Sequence, residues 1–386
     1  MRTAVGGALL ALSAAAVVWE WIAVYATEEF FRSGSGRVDG SKKGSGRDQL
    51  DPELAPDDAV LPAASVIIPL KGGEPANRAS IECMLDQDYG TLEVVVGIAE
   101  GDEMAASLVR SIQTERPDAP LNLVQSPNRL GGPRPKVSNL YNASEAAKYS
   151  FLALIDADIL AGKDFLRSLL TPLNKPETGL TTSLYRAGEG GGLWSRIDGL
   201  WTSTAYLPGA IFGRRVIGEG FAFGAAIGIR RDVLDQIGGF AAISRQVGDD
   251  YQLGRLASSR GFRVELVRYV VTEQVEQISF RQFVGRRTRW ARTIRIHQPA
   301  GYAGSFLMYS VPLALCGVLI DRPARWRWLG AVMANRLVCA SLTRRRLDPD
   351  APAWELLLTP MRDLLAFALW GLGFTTEKPR LRGAAP

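Results

Sequence analysis

The sequence predicts an α/β protein with a mixed, mainly parallel sheet and with transmembrane helices at its N- and C-terminal ends. Short β-branched runs alternate with helical segments from Ala64 to about Gly261, which is the pattern of a sheet with helical crossovers. Long apolar runs lie outside that region, at Val5–Ala26 and Tyr302–Ile320, and each is long enough to cross a bilayer. The length of 386 residues and the 47% share of apolar residues are ordinary for one large or two smaller domains.

The N-terminal run, Val5–Ala26, is interpreted as a retained membrane anchor within residues 1–31. Trp19 and Trp21 lie towards its far end, where aromatic residues anchor helices at the interface. Glu20 lies close enough to that end to reach the headgroups. A cleaved signal peptide is the alternative, but the apolar run is long and is followed by no evident small-residue cleavage site.

A flexible linker is expected at residues 32–60, which are rich in Gly, Ser, Pro and charge without periodicity. Its basic residues favour a cytoplasmic position for this side of the membrane and for the domain that follows. These basic residues are Arg32, Arg37, Lys42, Lys43 and Arg47.

The sheet domain is expected at residues 61–278, with crossovers of a length that fits βαβ units. Strands are predicted at Ser65–Pro69, Leu92–Ile98, Leu121–Gln125, Phe151–Ile155, Gly179–Leu184, Ala225–Ile229 and Val264–Val271. Helices are predicted at Arg78–Gln87 and Lys136–Tyr149.

One predicted strand, Phe151–Ile155, ends abruptly at two carboxylates, Asp156 and Asp158. Ligands of open α/β sheets bind at the carboxyl ends of such buried strands. In extended backbone, alternate residues share a face, so both carboxylates should point to one side. Two hard oxygen ligands there suit Mg²⁺ or Mn²⁺, which then holds substrate phosphates. The alternative is a pair of acids that merely solvate the end of the strand.

A second acidic pair, Asp249 and Asp250, precedes Tyr251 and opens an apparent helix. Acids in the first turn of a helix can serve as capping residues, which is the structural alternative to a catalytic role.

An amphipathic helix is predicted at residues 279–298, with Phe280, Phe283, Val284, Ala291 and Ile294 on its apolar face. The rest of its surface is basic, which is typical of a helix that lies along a membrane surface. The basic residues are Arg281, Arg286, Arg287, Arg289, Arg292 and Arg295.

A C-terminal membrane region is expected at residues 299–376, followed by a tail at 377–386. Tyr302–Ile320 is predicted to cross the membrane. Trp328–Leu342 is shorter and contains Arg336, which favours a re-entrant or tilted helix. Leu356–Phe374 is apolar apart from Arg362 and Asp363 and could cross once.

Charge and rare residues exclude several classes of chemistry. The net charge of +5 fits an anionic membrane surface or a phosphorylated substrate, but is too small to indicate a nucleic-acid partner. The three cysteines are far apart and lack CxxC spacing, which argues against a disulfide scaffold or a zinc site. The single histidine, His297, argues against Ser-His-Asp and Cys-His catalysis, so a general base is expected to be a carboxylate.

The order of these motifs resembles that of the inverting glycosyltransferases of family 2. The sequence is more similar to the ceramide glucosyltransferase branch, family 21, and within it to bacterial hopanoid-biosynthesis glycosyltransferases. The resemblance implies a GT-A-like, Rossmann-like catalytic domain. The stretches that carry it are Arg134–Leu140, Leu193–Arg196, Ile237–Phe240, Gly248–Gly254, Arg289–Arg295 and Pro299–Ser305.

The resemblance also implies roles for the acidic residues. Asp158 matches the acid that holds a divalent ion, Mg²⁺ or Mn²⁺, and Asp156 supports it. Asp250 matches the general base, and Asp249 occupies a position where relatives often carry Glu. The family's early aspartate near the uridine or ribose has no direct counterpart, so Glu100 or Asp102 must take its place.

Basic and polar residues are implied to hold the donor. Arg286, Arg289 and Trp290 match the family's R-x-x-R-W motif, which closes over the diphosphate and the acceptor. Lys136 and Asn139 match a stretch near the nucleotide.

An acceptor groove is the interpretation of Gly192–Phe212, where Trp194, Trp201 and Tyr206 lie in a mostly apolar stretch. Ordinary core packing is the alternative. A lipid acceptor would explain why a sheet domain is attached to the bilayer at both ends.

The expected function is transfer of a sugar from UDP-GlcNAc or UDP-glucose to the hydroxyl of a membrane lipid, with inversion. A hopanoid such as bacteriohopanetetrol is the expected acceptor, with ceramide as the alternative. A processive polysaccharide synthase and an inactive membrane adaptor are further alternatives. The expected location is a bacterial inner membrane, with several crossings and the catalytic domain in the cytoplasm.

Overall fold

The structure is a computed structural model that describes residues 2–32, 37–38, 61–188, 191–218, 220–321 and 325–375. Most of the predicted linker, residues 33–36 and 39–60, and the predicted tail at 377–386 lie outside the described residues.

The described strands follow the predicted order along the chain. They are β1 (Arg37–Val38), β2 (Ala64–Pro69), β3 (Leu92–Ala99), β4 (Leu121–Ser126), β5 (Phe151–Ile155), β6 (Ile159–Leu160), β7 (Thr178–Ala187), β8 (Ala226–Arg230) and β9 (Arg263–Glu273).

The helices include long apolar ones near both ends of the chain. They are α1 (Arg2–Arg32), α2 (Pro75–Leu85), α3 (Glu103–Glu115), α4 (Pro135–Ala146), α5 (Phe165–Leu170), α6 (Leu193–Trp201), α7 (Leu207–Ile217), α8 (Arg231–Gln236), α9 (Asp249–Ser259), α10 (Phe280–His297), α11 (Pro299–Gly304), α12 (Ser310–Asp321), α13 (Trp326–Leu347) and α14 (Thr359–Thr375). A π-helical turn, Thr202–Tyr206, joins α6 to α7. Short 3₁₀ turns occur at Thr171–Asn174, Phe240–Ile243, Ser305–Met308 and Ala353–Leu358.

The chain forms two compact units that interleave along the sequence. The sheet unit comprises the described residues within Gly34–Tyr185 and Arg214–Gln274. The helical unit comprises those within Met1–Ser33, Arg186–Gly213 and Val275–Arg380. This division differs from the expected ranges, because residues 186–213 group with the helical unit rather than with the rest of 61–278.

The strands of the sheet unit form one mixed, mainly parallel sheet, as predicted. Within the described strands the order is β1-β9-β7-β8-β5-β2-β3-β4, and β6 pairs with β9. The pairs β2–β3, β2–β5, β3–β4 and β1–β9 are parallel. The strand β8 runs antiparallel to both of its neighbours, β5 and β7. The predicted strand Phe151–Ile155 is therefore flanked by one parallel and one antiparallel partner, not by two parallel ones.

Helix α4 lies close to β3, which matters because α4 carries Lys136. Gly97 of β3 makes this approach possible, since a Cβ at that position would overlap the backbone oxygen of Asn139. Val137 of α4 and Val95 of β3 are fully buried in the same core. The residues at the start of α4 are thus fixed against the sheet.

Helix α3 was not predicted from the sequence. Asp102 caps its N-terminus by accepting a hydrogen bond from the Ala105 amide at 3.1 Å. The helix is amphipathic and buries Ala105, Val109 and Ile112 against the sheet unit.

The helical unit contains two helices that are long and apolar enough to cross a membrane, Ala4–Arg32 and Ala353–Thr375. They correspond to the predicted segments Val5–Ala26 and Leu356–Phe374. A pair bent by 66°, Pro299–Met308 and Ser310–Ile320, would make a third crossing only if it forms one span.

The segment Tyr302–Ile320, which is predicted to cross the membrane, is therefore not one continuous helix. The helix breaks at Tyr309, three residues before Pro312. Proline is accepted in the first turn of a helix but cannot donate the hydrogen bond that a continuous helix would require, so α12 begins afresh there.

Glu20 is enclosed by protein, whereas the sequence predicted a side chain that reaches towards the headgroups. It is buried in the helical unit, where its carboxylate accepts hydrogen bonds from Ser310 Oγ at 2.5 Å and from Asn335 Nδ2 at 2.8 Å. Arg336 Nε lies 3.5 Å from the same carboxylate. A buried charge is retained where polar partners and an opposite charge compensate its lost hydration.

Candidate active site

The Asp156–Asp158 segment is a turn and not a continuation of β5. The Ile159 amide donates to the Asp156 carbonyl at 3.3 Å, and the Gln274 amide donates to the Asp158 carbonyl at 2.8 Å. The chain turns here because β6 must pair with the end of β9. The prediction that both carboxylates share one face of an extended strand is wrong, and the two acids have different neighbours.

Asp156 forms an ion pair with the first turn of α4. Its Oδ1 atom lies 2.5 Å from Lys136 Nζ, and Pro135 starts the helix that places Lys136 there. Burial opposes the charge of Lys136, but the carboxylates of Asp156 and Asp249 outweigh it and raise the pKa of this lysine above its ordinary value. Burial also raises the pKa of Asp156, although Lys136 counteracts that effect.

Asp249 connects the start of α9 to the start of α4. Its Oδ1 atom lies 2.9 Å from Arg134 Nη1, and its Oδ2 atom lies 3.9 Å from Lys136 Nζ. Two cations therefore compensate Asp249, which makes it a residue that positions α4 against α9.

Asp250 has the properties expected of a general base. It lies in the first turn of α9, where Gly248 adopts φ 69° and lets the chain enter the helix sharply. Burial, and secondarily the charge of Asp249, raises the pKa of Asp250 to about 6, while the hydrogen bond from the Tyr251 amide lowers it. Among the described residues Asp250 forms no ion pair. A carboxylate with such a pKa is ionised at neutral pH and still basic enough to take a proton.

The loop before β8 packs directly against Asp250. A Cβ at Gly224 would lie 3.0 Å from Asp250 Oδ2, so only glycine leaves the carboxylate undisturbed. The Phe221 ring stacks on Tyr251 at 6.2 Å. This loop therefore holds the first turn of α9 in place.

Asp158 lies beside another acid, Glu273, at the end of β9. Burial, followed by the charges of Glu273 and Asp156, raises the pKa of Asp158 to about 7. Carboxylates that repel one another and offer hard oxygen ligands fit a divalent cation. No group of three or more His, Cys, Asp or Glu side chains within the described ranges is arranged as a complete metal site. One or two carboxylates completed by substrate phosphates is, however, a common arrangement for Mg²⁺.

The other residues expected near the donor have mainly structural contacts. The Asn139 amide donates to the Leu70 carbonyl at 3.2 Å in a buried position. Both carboxylate oxygens of Asp102 accept backbone amides, from Gly72 at 2.9 Å and from Ala105 at 3.1 Å. Glu100 is exposed at the turn after β3. Of the two acids proposed for the nucleotide, Glu100 is thus the more accessible.

The R-x-x-R-W motif lies on α10 in the helical unit and is organised by a buried acid, Asp198 of α6. Asp198 pairs with Arg287 Nε and lies 3.5 Å from Arg286 Nε. Arg287 Nη2 also donates to the Asp198 carbonyl at 2.5 Å and to Thr202 Oγ1 at 3.0 Å. The side chains of Asp198 and Arg287 are 3% and 2% exposed, so Arg287 does not belong to the solvated basic face on which it was predicted.

The motif tryptophan, Trp290, lies among these cations. The guanidinium carbons of Arg286 and Arg287 lie 5.1 and 4.8 Å from its ring centre, which is cation–π distance. The Tyr206 ring packs on it at 5.4 Å. Arg289, by contrast, is exposed on α10.

The three aromatic residues proposed for the acceptor all pack on α10. Trp194 lies 4.6 Å from Phe280, and Trp201 lies 6.1 Å from Phe283, within one apolar cluster. Tyr206 contacts the motif itself through Trp290. The packing alternative therefore describes the surroundings of Trp194 and Trp201 better than those of Tyr206.

Sequence reasoning missed Asp198 and Glu273 and misplaced Arg287. Arg287 follows Phe283 by one helical turn, so the spacing could have placed it on the buried face. Asp198 is the single acid in the mostly apolar stretch Leu193–Trp201, a pattern that favours a cationic partner where the acid is buried. Glu273 is the last residue of β9, two positions after the apolar run Tyr269–Val271, and so lies at the end of a strand much as Asp156 does.

The sequence is similar to two curated ceramide glucosyltransferases. Ceramide glucosyltransferase 3 of Caenorhabditis elegans is 22% identical over 241 residues, which are 61% of this chain and 51% of that protein. Ceramide glucosyltransferase 1 of the same organism is 21% identical over 236 residues, which are 61% of this chain and 50% of that protein. The chain thus spans about half the length of the curated relatives that it matches.

A solved structure has the same fold. The mannosyltransferase PcManGT from Pyrobaculum calidifontis, in complex with GDP-Man and Mn²⁺, superposes with a TM-score of 0.56 at 20% identity. The alignment covers 97% of this chain and 98% of that one. At this identity the likeness concerns the fold alone, which is GT-A-like as the sequence resemblance implied.

The family model for glycosyl transferase family 21 matches residues 41–385, nearly the whole chain. That range contains the acidic cluster of the sheet unit and the R-x-x-R-W helix of the helical unit. The chain belongs to glycosyl transferase family 21.

Proposed function

We propose that this chain is a membrane-bound inverting glycosyltransferase that moves a sugar from a UDP-sugar to the hydroxyl of a membrane lipid. The observation that carries the proposal is Asp250. It is a carboxylate with a pKa of about 6 that forms no ion pair among the described residues, while its neighbour Asp249 is compensated by Arg134 and Lys136.

In the proposed reaction, Asp250 accepts the proton of the lipid hydroxyl as the hydroxyl oxygen attacks the anomeric carbon. The new carbon–oxygen bond forms on the face opposite the bond to the diphosphate. That bond breaks, and its electron pair leaves with UDP. A single displacement of this kind inverts the anomeric configuration. Removal of the proton by a positioned carboxylate typically contributes about 10²–10⁴-fold to the rate.

The negative charge that develops on the leaving diphosphate needs compensation. We assign this to Arg286 and Arg289, with Trp290 closing over the acceptor. Asp158 would hold a divalent cation, which when bound would neutralise phosphate charge. Lys136 orders Asp156 and Asp249 around the donor, and Asn139 and Glu100 are proposed to border the nucleotide.

Two lipid classes are candidates for the acceptor. The resemblance of stretches such as Arg134–Leu140 to bacterial hopanoid-biosynthesis enzymes supports bacteriohopanetetrol. The names of the curated relatives support ceramide, with glucose as the sugar. UDP-glucose and UDP-GlcNAc are the proposed donors.

We further propose that the protein crosses a bacterial inner membrane several times and that its sheet unit faces the cytoplasm. The two apolar helices Ala4–Arg32 and Ala353–Thr375 support the membrane attachment. The basic residues that follow the first of them support the orientation.

The test uses the purified full chain in lipid nanodiscs with Mn²⁺ or Mg²⁺. UDP-glucose and UDP-GlcNAc are each combined with bacteriohopanetetrol or ceramide, and the lipid extracts are analysed by mass spectrometry. The proposal expects one hexosyl- or N-acetylhexosaminyl-lipid and an equal amount of UDP. Absence of transfer to either lipid from either donor would refute the acceptor assignment.

A further inference from the structure

A small cleft in the helical unit is bordered by a buried ion pair that the proposed reaction does not use. Its volume is about 20 Å³. Space of this size holds one group about as large as a water molecule. Glu20 and Arg336 form its polar side, and Trp19, Val24 and Met308 are among its apolar wall residues.

The ion pair is unusually costly to place in this unit. Glu20 and Arg336 are 5% and 4% exposed, and Glu20 lies within a helix that is apolar enough to span a membrane. Arg336 is also paired with the fully buried Asp363 at 3.0 Å. Ionisable residues inside a membrane unit are expensive, and they commonly mark binding or transport sites.

Glu20 keeps hydrogen-bonding capacity beyond its protein partners. An ionised carboxylate offers about four lone-pair sites. Ser310 and Asn335 donate one hydrogen bond each to it, and Arg336 Nε lies 3.5 Å away. A hydroxyl or amide N–H in the cleft would therefore find an acceptor.

Helix cohesion alone does not explain the cleft. A network whose only task is to hold helices together is most stable when close-packed, because unfilled space forfeits dispersion contacts. Here space beside the ion pair is left open, and the Glu20–Arg336 side of an otherwise mostly apolar cleft offers partners for one polar group.

The cleft also adjoins the turn that contacts the R-x-x-R-W motif. Thr204 lines the cleft, and its carbonyl accepts a hydrogen bond from Arg336 Nη2 at 3.0 Å. The same π-helical turn ends at Tyr206, whose ring packs on Trp290. A guest in the cleft would thus touch the turn that borders the motif.

We propose that this cleft binds a second, non-reacting hydroxyl or amide group of the lipid acceptor. It thereby selects lipids that carry such a group over long-chain alcohols with one hydroxyl. This inference rests on the proposed function, since it specifies the acceptor of that reaction. Ceramide and bacteriohopanetetrol both have the required chemistry.

The test compares acceptors and variants of the full chain in nanodiscs. Ceramide or bacteriohopanetetrol, whichever is glycosylated, is compared with 1-octadecanol in the wild-type protein and in Ala23→Val, which fills the cleft from α1. The matched control is Ala15→Val, an exposed position on the same helix. Hydrolysis of the UDP-sugar without lipid reports on the donor site, and thermal unfolding reports on folding.

The wild type should prefer the lipid with a second polar group, and Ala23→Val should raise the KM for that lipid about tenfold, the value of one good hydrogen bond. In Ala23→Val, the KM for 1-octadecanol and the rate of UDP-sugar hydrolysis should stay unchanged. The control variant Ala15→Val should have the same KM values as the wild type. Equal losses for both acceptors, or an unchanged KM in a folded Ala23→Val, would overturn the inference.

The comparison of the two acceptors in the wild-type protein tests the selectivity of the cleft even if Ala23→Val does not fold. Equal KM values for the two acceptors would exclude a selecting cleft while leaving the proposed function intact. Hydrolysis of the donor without transfer to any lipid would instead refute the proposed function itself.

Discussion

Asp250 and Asp249 are neighbours in the sequence with opposite surroundings. Asp249 is held by Arg134 and Lys136, whereas Asp250 is buried beside Gly224 and forms no ion pair among the described residues. Burial without a cationic partner disfavours the charged form of a carboxyl group, which is why its pKa is raised. The same physical argument separates Asp158 from Asp156, because Lys136 contacts only the latter.

The raised pKa of Asp250 predicts the acidic limb of the pH–rate profile. A base works when ionised, so kcat/KM should fall as the pH is lowered through about 6, the pKa of this carboxyl group. In Asp249→Asn, a neighbouring negative charge is lost and the limb should move to lower pH. A profile that is flat between pH 5 and 8 would contradict this assignment.

The pKa of Asp158 predicts the pH dependence of metal binding. A proton and a cation compete for this carboxylate, whose pKa is about 7. Affinity for Mn²⁺ in the presence of UDP should therefore drop between pH 8 and pH 6, by up to about tenfold per pH unit. The affinity is measured by electron paramagnetic resonance of the free Mn²⁺ that remains in solution. Equal affinity at both pH values, or retained binding in Asp158→Asn, would argue against the site.

Asp198 is predicted to position the R-x-x-R-W helix. Asp198→Asn leaves the buried Arg287 without its opposite charge, which should lower the free energy of unfolding by about 3 kcal/mol. The KM for the donor should rise as well, because Arg286 also contacts Asp198. Arg281→Gln, an exposed change on the same helix, is the control. Thermal unfolding and donor kinetics measure the two effects. Unchanged stability together with an unchanged KM for the donor in Asp198→Asn would exclude this role.

Residue contacts of this kind were only partly predictable. The sequence indicated Asp156, Asp158, Asp249 and Asp250 because each follows a strand or opens a helix. The pairing of Asp198 with Arg287 joins residues 89 positions apart, and no local pattern encodes which acid meets which arginine. Burial of Arg287 depends on that pairing.

At the scale of elements, the contact between β3 and α4 determines where Lys136 lies. Gly97 is required there, because any larger residue would meet the backbone of Asn139. Backbone cannot move aside as a flexible side chain can, so the helix as a whole would have to shift.

Gly97→Ala should therefore destabilise the sheet unit by about 1–3 kcal/mol and raise the KM for the donor, since α4 carries Lys136. Gly90→Ala is the matched control, because a Cβ there meets no atom within 4 Å. Chemical unfolding of both variants measures the difference. Equal stability of the two variants would show that α4 is not held by this contact.

Most elements were predictable because their hydrophobic periodicity is strong. Helix α3 was missed although its sequence carries the signals of a helix, since Ala105, Val109 and Ile112 recur at helical spacing after the Asp102 cap. The break at Tyr309 was missed because an apolar run of spanning length does not show whether the helix that it forms is straight or bent. Pro312 was the signal that could have located it.

At the scale of the whole molecule, the mixed sheet class and the apolar ends followed from the sequence. The insertion of β8 between β5 and β7 did not, because it depends on pairing between strands distant in the chain. Nor did the grouping of residues 186–213 with the membrane helices, since that stretch carries the same apolar composition as a buried core.

The role of Asp250 as the general base is tested most directly by lipid glycosylation by Asp250→Asn, with binding of the UDP-sugar measured in the same preparation. Donor binding and thermal stability should be unchanged, and the rate of transfer should be reduced on the order of 10²–10⁴-fold. A variant that folds, binds the donor and still transfers the sugar at a rate close to that of the wild type would contradict this role.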